Sequence, residues 1–436
     1  MIKFNKSRLA ATVGALALAG AAAPASAVVV VGGDNGWEIS FDGNINVFYT
    51  VGDYDANTRI VNGGNEKTTS RVQTGLLPAF FSFNAKSPTY NGMTGTARIS
   101  FAPQIQTGGT LTQIGQTTTG GDGITGASSD VREVVFNLDG SFGQISLGRT
   151  LSLYGRQAIL NDQTLFGVGA SPANGNGGTT LGRIGYGYIY PDFASRIQYT
   201  TPMMNGFQAA VGLYDPSGIN GISGQAGGTA GLLDEDSTPR VEAEVSFTTN
   251  VQNASLKLWA DGSYQALNSS CTGTADVDGT TYACDELDSY GIGGGAKVGF
   301  GGFDFVGYYS YNEGVSGASA LFRFFGGPDV NNAATGTFNE NELTTYYVQG
   351  AYTFGATKVA ASYGQNEFRA DGEAGVGDNV RNKNEMYTVG VYHDVTSWLK
   401  LIAEYNHIEG ETITGGGVNT TPGEADTFSV GSFFFW

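Results

Sequence analysis

Hydrophobic and polar residues alternate regularly near the start of the chain, between positions 37 and 51. The apolar set on one parity is Trp37, Ile39, Phe41, Ile45, Val47, Tyr49 and Val51. The polar set on the other parity is Glu38, Ser40, Asp42, Asn44, Asn46 and Thr50, with only Phe48 out of place. Because successive side chains of a strand point to opposite faces, this pattern predicts a long β-strand with one apolar and one polar face.

Similar alternation recurs to the end of the chain and predicts about sixteen strands. These lie near 37–51, 72–86, 94–106, 131–139, 144–150, 194–201, 207–214, 239–248, 254–267, 288–299, 303–313, 343–354, 357–367, 384–395, 399–409 and 424–436. Several match the roughly 9–11 residues that a tilted strand needs to cross a bilayer.

The connections between these segments alternate between short and long. Short turns fall at 87–93, 139–143, 202–206, 249–253, 300–302, 355–356 and 396–398, and the long connections are rich in Gly, Asn, Asp, Thr and Ser. Outer-membrane barrels have short periplasmic turns and long extracellular loops. The fold class predicted is therefore all-β, a transmembrane antiparallel up-and-down barrel. Trp37, Trp398 and Trp436 fall at the predicted periplasmic ends, where aromatic side chains favour the membrane interface.

The first 27 residues have the features of a cleaved signal peptide. Lys3, Lys6 and Arg8 precede an apolar stretch, and Ala25-Ser26-Ala27 forms a small-residue cleavage site. We expect residues 28–436 to form one exported barrel domain.

The amino-acid composition is typical of a barrel wall and argues against nucleic acid as a partner. The chain has 68 Gly, 26 Phe and 22 Tyr, and its net charge of −18 disfavours nucleic acid binding. Its two cysteines, Cys271 and Cys284, are predicted to form a disulfide within one long loop of an exported protein.

Three motifs resemble the general (trimeric) porins of Gram-negative outer membranes. Residues 131–149, VREVVFNLDGSFGQISLGR, are similar to the hairpin before the third extracellular loop in that family. Residues 196–207, RIQYTTPMMNGF, resemble the hairpin after it. The last nine residues, FSVGSFFFW, resemble the family's assembly signal through Phe428, Val430, Phe434 and Trp436, although Ser432 departs from the alternation.

The resemblance implies a homotrimeric diffusion channel in the outer membrane. The expected partners are outer-membrane lipid, lipopolysaccharide, the barrel-assembly machinery, and small hydrophilic solutes and ions. It also implies that a third loop, about 151–193, folds into the barrel and narrows the pore between basic and acidic residues.

The candidate residues for this constriction are Arg98, Arg132, Arg149, Arg156, Asp162 and Arg183. By parity Arg98 faces the lumen, whereas Arg132 and Arg149 share the parity of lipid-facing residues; a bulge at Gly148 would turn Arg149 inward. The loop lacks the family's acidic PEFGG-type motif. Asp162 is its candidate acid, and Arg156 and Arg183 are basic residues without an evident partner.

Catalytic and cofactor signatures are weak. The chain contains no HExxH, CxxC, P-loop or GxSxG motif, and the glycine run at 291–295 lacks a following helix pattern. We predict no cofactor and no metal site. Acidic loop clusters at 234–236, 285–288 and 340–342 offer ligands for Ca²⁺, but solvated loop charges explain them more simply.

Three functions remain open at this point. Parity places acids and bases in nearly equal number on the lumen face of the wall: Glu38, Asp42, Glu242, Glu244, Asp261 and Glu404 against Arg98, Lys257, Lys297, Lys358 and Lys400. A weakly cation-selective diffusion pore is favoured, because acidic long loops would concentrate cations at the outer mouth. A channel or receptor selective for a solute such as phosphate or an organic anion is the alternative. A barrel lipase would need a Ser–His pair on the lipid face, where His393 and His407 fall by parity.

Overall fold

Almost every described residue of the chain lies in a β-strand or a short connection. A computed structural model describes residues 28–32, 35–55, 66–105, 111–113, 116–117, 129–171, 179–216, 238–267, 274–277, 280–283, 287–314, 342–370, 380–413 and 423–436. The strands are β1 (Val28–Gly32), β2 (Glu38–Tyr54), β3 (Lys67–Gln73), β4 (Phe80–Lys86), β5 (Thr94–Pro103), β6 (Leu111–Gln113), β7 (Gln116–Thr117), β8 (Ser129–Gly140), β9 (Gly143–Leu151), β10 (Phe193–Thr200), β11 (Phe207–Tyr214), β12 (Arg240–Val251), β13 (Ala254–Leu267), β14 (Thr274–Val277), β15 (Thr280–Ala283), β16 (Leu287–Phe300), β17 (Phe303–Glu313), β18 (Glu342–Phe354), β19 (Thr357–Ala370), β20 (Val380–Thr396), β21 (Leu399–Ile413) and β22 (Gly423–Phe435). One short helix, α1 (Arg156–Leu160), follows β9. None of the described helical residues forms a helix long and apolar enough to cross a membrane.

The sheet closes on itself through its first and last long strands. β2 pairs antiparallel with β22 from Asn44↔Phe435 to Tyr54↔Ala425. β3 and β4 pair with successive parts of β2 and together make one wall strand. β1 pairs with the start of β2, beyond the end of β22. The wall is therefore a closed antiparallel barrel of 16 strands, which confirms the predicted fold class.

The two faces of the wall follow the sequence alternation. In β2 the outward Ile45, Val47 and Tyr49 are 43%, 38% and 48% exposed, whereas the inward Asn46 and Thr50 are buried. Exposed apolar side chains recur on the outer face of most of the other wall strands. An apolar outer band is what lipid contact requires.

The second wall strand is not the continuous 72–86 segment that the sequence predicted. It is interrupted at residues 74–79, between β3 and β4. Pro78 has no N–H to donate to a ladder, and the backbone of this segment bonds to the loop inside the barrel instead: Leu76 N donates to Gly167 O (3.1 Å), and Thr180 N donates to Gly75 O (3.2 Å). At residues 74–79 the backbone therefore forms hydrogen bonds with the interior loop in place of hydrogen bonds with a neighbouring strand.

The interior of the barrel contains a hydrophobic core to which both the wall and the loop after β9 contribute. Phe48, the residue that broke the alternation of the first segment, points inward and is fully buried. Its ring centre lies 6.0 Å from that of the inward Phe433, which in turn lies 5.3 Å from Phe166 of the loop after β9. The inward Ile402 and Tyr392 belong to the same cluster. The interior of the barrel is therefore not lined by polar side chains alone.

Aromatic side chains collect at the short-turn end of the wall. The Trp398 ring lies 5.6 Å from Phe434, and the Trp436 ring lies 5.1 Å from Phe81. Both tryptophans are at the barrel end to which the sequence assigned them. In outer-membrane barrels this end faces the periplasm, at the height of the lipid headgroups.

Candidate functional site

The segment between β9 and β10 is called the third loop here, and its described residues, 152–171 and 179–192, lie against inward-facing side chains of the wall. Its first residues are held by two carboxylates. Glu242 of β12 accepts hydrogen bonds from the backbone N–H groups of Leu153 (2.8 Å) and Tyr154 (3.0 Å). Asp261 of β13 accepts one from Gly155 (3.2 Å). These bonds to charged acceptors satisfy loop N–H groups that would otherwise be buried without partners.

A third wall carboxylate holds the middle of the loop. Oε1 of Glu404 in β21 accepts hydrogen bonds from Val168 N (2.9 Å) and Gly169 N (2.7 Å). The hydroxyl of Tyr392 donates to its other oxygen at 3.0 Å. A Cβ added at Gly167 would lie 1.6 Å from Glu404 Oε2, so a glycine is required at this contact.

Asp162 is the centre of the loop's own polar network. Its Oδ1 accepts from Thr164 N (2.8 Å) and from Gln349 Nε2 of β18 (2.6 Å), and its Oδ2 accepts from the Tyr188 hydroxyl (3.0 Å). Lys358 of β19 donates to the neighbouring Gln163 carbonyl at 2.7 Å. The acid expected to face basic residues across the pore therefore serves to attach the loop to the wall.

A separate compact charged cluster lies on the inner face of β2, β4, β5 and β8. Arg98 of β5 contacts Asp42 of β2 (2.9 Å) and Glu133 of β8 (2.7 Å), and also donates to Asn84 (3.0 Å) and Ser82 (2.7 Å). The inward direction expected for Arg98 from parity agrees with these contacts. One cation between two carboxylates leaves the cluster with a net negative charge.

Comparison with known proteins places this architecture in a family. The family model described as Gram-negative porin matches residues 10–412 of the chain. The chain belongs to the Gram-negative porins. The porin is thus an outer-membrane channel protein, and the resemblance noted in its three motifs is confirmed. A search of curated protein sequences gave no match.

Several solved structures share the fold of this porin at low sequence identity. The outer membrane channel DcaP of Acinetobacter baumannii has a TM-score of 0.62 and 13% identity, covering 94% of this chain and 100% of DcaP. The anion-selective porin from Comamonas acidovorans has a TM-score of 0.55 and 16% identity, covering 92% of this chain and 100% of that porin. OmpT of Vibrio cholerae has a TM-score of 0.52 and 15% identity, covering 94% of this chain and 100% of OmpT. These likenesses concern the fold.

The two basic residues of the third loop both have partners in the porin. Arg156 forms an ion pair with Glu244 of β12 (2.8 Å), and Gln157 donates to the same carboxylate (2.9 Å). Arg183 is completely buried and donates to Met386 O (3.2 Å) and Thr388 Oγ1 (2.9 Å) of β20. Loss of hydration lowers the pKa of Arg183. The expectation that both residues are unpaired is wrong, because the wall supplies their acceptors.

The parity argument fails at Arg132, and the physical reason is a bulge. The pairing of β5 with β8 runs through Ser100↔Glu133 and then shifts to Phe101↔Val131, so Arg132 has no cross-strand partner. Arg132 is thereby turned inward and buried, where it pairs with Asp130 (3.1 Å). By contrast, the β8–β9 pairing keeps its register at Gly148, with Val134 opposite Arg149, but Gly148 has a positive φ of 118°. Arg149 acts electrostatically on Tyr190 and Asp192 of the third loop. The register shift lies at Arg132, whereas the irregularity at Gly148 is one of backbone conformation.

Several further predictions lie outside the described residues. They are the signal peptide at 1–27, the cysteines Cys271 and Cys284, and most of the acidic clusters suggested for Ca²⁺. Within the described ranges no group of His, Cys, Asp and Glu is arranged to hold a metal ion. The signal peptide and the disulfide stay predictions.

The two histidines are placed in ways that do not support the lipase hypothesis. His407 lies 2.9 Å from Asp426 and 3.0 Å from Glu409, so both ring nitrogens contact carboxylates. His393 Nδ1 lies 2.9 Å from the hydroxyl of Thr357. Neither contact provides the Ser–His pair that this hypothesis required.

Sequence reasoning missed the main role of the inward carboxylates. Parity placed Glu242, Asp261 and Glu404 in the lumen, but no local pattern indicates that they bind loop N–H groups. It also overlooked Asp192, a second acid of the third loop, whose pKa is raised by burial. A usable signal exists at Gly167-Val168-Gly169, because a glycine-flanked segment can bring its N–H groups close to a carboxylate.

Proposed function

We propose that this porin is a passive diffusion channel for small hydrophilic solutes and ions. The observation that carries the proposal is the asymmetry of the lumen. The third loop is hydrogen-bonded to β2, β3, β8, β12, β13, β18, β19, β20 and β21. By contrast, the described hydrogen bonds of Arg98, Asp42 and Glu133 go to wall residues and not to the loop. A water-filled path between them would be lined by charges on one side and by an immobile loop on the other. Barrels of 16 strands are wide enough for such a path.

The fixed position of the loop favours diffusion over a gated mechanism. Its backbone is bonded to wall carboxylates at both its start and its middle, and its apolar residues Ile159, Leu165 and Phe166 are buried in the interior core. Releasing the loop would leave several buried groups unpaired, at about 1–3 kcal/mol each. A loop held in this way restricts solute size permanently.

Weak cation selectivity is the second part of the proposal, and it depends on the outer mouth. Each wall carboxylate that parity assigned to the lumen has a hydrogen-bonding partner: Glu38 with Lys86, Asp42 with Arg98, Glu244 with Arg156, and Glu242, Asp261 and Glu404 with loop N–H groups. We therefore attribute the cation preference to the acidic long loops and to the net negative Arg98 cluster. Such a preference should weaken as salt is raised, because exposed charges are screened beyond ~10 Å at 0.1 M.

A selective channel for small anions is the competing proposal. It is favoured by inward lysines near the short turns of β13 and β16, which are described below. Reversal potentials of purified porin in planar bilayers, across a tenfold KCl gradient at low and high salt, decide between the two. A cation preference that fades with salt supports the first proposal, and an anion preference at low salt supports the second. A protein that inserts without forming conducting steps contradicts both.

We further propose a homotrimer, as in the general porins that the chain resembles. The measurement is the mass of the detergent-solubilised complex by native mass spectrometry, with lipopolysaccharide removed. A monomer as the single species would contradict the proposal.

A further inference from the structure

Four lysines lie inside the barrel close to its short-turn end, and we call them the lysine row. They are Lys257 of β13, Lys297 of β16, Lys358 of β19 and Lys400 of β21. Each is followed in its strand by an outward apolar residue, which fixes the lysine on the inner face: Leu258, Val298, Val359 and Leu401, all exposed. Each lysine is within four positions of the end of its strand at a short turn.

Two members of the row are directly opposite each other. Lys257 and Lys297 are Cα partners in the β13–β16 ladder, so their side chains leave the same face of the sheet side by side. Like charges in this arrangement repel and destabilise a sheet unless a counter-charge lies between them. The carboxylate of Asp304 is 3.9 Å from Lys297, and both side chains are about one third exposed (31% and 32%).

An acid that acts on Lys257 already has another partner. Glu244 acts electrostatically on Lys257, but Glu244 also forms an ion pair with Arg156 at 2.8 Å. Among the described residues Lys257 forms no ion pair of its own, and it lies beside Lys297.

The other two members also contact the third loop: Lys358 donates to Gln163 O at 2.7 Å, and the Lys400 ammonium lies 5.3 Å from the Phe166 ring centre. Lys358 interacts electrostatically with Lys400 and Lys297, and its ammonium is 4.7 Å from the Tyr392 ring centre. Lys400 pairs with Asp394 at 2.5 Å. Among the described residues, Asp304 and Asp394 are the carboxylates that form ion pairs with the row, while Asp162 acts electrostatically on Lys358 and Glu244 acts on Lys257.

We propose that the lysine row binds a small oxyanion, a phosphate or a carboxylate, on the short-turn side of the third loop. The ammonium group is a compact point charge that binds phosphate and carboxylate oxygens well. Several such groups on one wall of a confined lumen raise the local concentration of anions. The site rests on the proposed channel function, since a solute reaches it through the lumen.

The position of the row gives it a directional role. The short-turn end faces the periplasm in outer-membrane barrels, so an anion that passes the third loop meets the lysines before it leaves the channel. The acidic outer loops attract the opposite charge. The two ends of the channel therefore favour different ions, which predicts rectification of the current at low salt.

The test uses a double variant, Lys257→Gln/Lys297→Gln, with Lys86→Gln as the matched control. Lys86 is also a lysine at a short turn, but it forms an ion pair with Glu38 at 3.1 Å and is half exposed. None of these three side chains is described as bonding to the third loop, so the variants leave the loop's attachments in place. Equal heat-modifiable gel mobility and equal conductance at 1 M KCl establish that each variant folds.

The measured quantity is the inhibition of chloride conductance by added inorganic phosphate, and separately by succinate, at low salt. We expect saturable inhibition in the wild type and in Lys86→Gln. In the double variant the half-inhibiting concentration should rise about fourfold, since each charge about 8 Å away in water contributes about a factor of two. Inhibition by phosphate alone identifies a phosphate site, and inhibition by both identifies a general oxyanion site. No inhibition in the wild type, or an unchanged double variant, overturns the proposal.

Calorimetric titration of phosphate into the detergent-solubilised porin measures the same site without conduction. Binding that is weakened in the double variant, in a protein that does not conduct, would contradict the proposed channel and support the site. Conduction without weakened binding would contradict the site and support the channel.

Discussion

Gly167 and Glu404 approach each other so closely that a single methyl group would not fit between them. A Cβ at Gly167 would lie 1.6 Å from Oε2 of Glu404 and 2.4 Å from its Cδ. The same carboxylate accepts hydrogen bonds from the next two residues of the third loop. The contact joins β21 to the loop that narrows the lumen, and its disruption should alter conduction more than assembly.

Gly167→Ala should displace the third loop from β21 while leaving the barrel wall intact. We expect a changed single-channel conductance and greater current noise, because the loop loses the bonds that immobilise it. Gly307→Ala is the matched control, since a Cβ there meets no atom within 4 Å. Identical conductance traces for Gly167→Ala and the wild type would show that the loop does not limit the current.

Phe48→Ala should lower the thermal stability of the folded barrel. The side chain is fully buried between the wall and the third loop, and replacing a buried Phe by Ala typically costs about 3–5 kcal/mol. The measurement is the temperature at which the compact band disappears from SDS gels. Phe305→Ala removes a ring of equal size that is 57% exposed on the outer face, and it should have a much smaller effect. Equal losses in both variants would contradict an interior core.

Arg98→Gln should increase the preference for cations. The substitution removes the only charge described between Asp42 and Glu133, which lie 2.9 and 2.7 Å from it. The potassium-to-chloride permeability ratio, obtained from reversal potentials at low salt, should rise about twofold for the loss of one nearby charge. Lys86→Gln, on a half-exposed lysine that pairs with Glu38 at a short turn, is the control and should change the ratio much less. No change in Arg98→Gln would place the conducting path elsewhere.

Cys271 and Cys284 should be joined by a disulfide. The described backbone between them forms the β14–β15 hairpin, in which Thr274 pairs with Ala283, the residue before Cys284. A bridge closing about 15 residues stabilises by about 3 kcal/mol in the chain-entropy account. Mass spectrometry after alkylation without reductant should find neither cysteine labelled. Labelling of both in the native porin would refute the bridge.

Deletion of Trp436 should reduce the amount of porin in the outer membrane. Its backbone exchanges two hydrogen bonds with Gly43 (3.1 and 3.2 Å), and its ring packs 5.7 Å from Phe41 and 5.1 Å from Phe81. These contacts close the seam between the last and first long strands. Trp436→Phe keeps an aromatic ring and should retain most of the wild-type level. Normal membrane levels of the truncated protein would contradict an assembly role.

The alternation of side chains determined the wall of this porin before any tertiary contact was known. Trp37 to Val51 showed both faces of a strand, and repetition of that pattern gave the strand number and the short-turn end. Parity also placed Arg98 and the lysine row correctly, because the pleat of a regular strand leaves each residue only two directions. The same segment contained one exception to the alternation, Phe48, which the pattern did not explain.

The tertiary structure alone decided what fills the lumen. Parity states which face a residue occupies, but it does not state what the residue contacts there. The loop N–H groups that bind Glu242, Asp261 and Glu404 are 88 to 236 positions away in the chain. Arg132 points inward, against its parity, because the pairing of β5 with β8 leaves it without a cross-strand partner. Such a bulge depends on how two strands pair and cannot be read from one strand alone. Phe48 became a core residue because the third loop brings Phe166 against Phe433 beside it. Such contacts arise when the barrel closes and a loop enters it, so no local pattern encodes them.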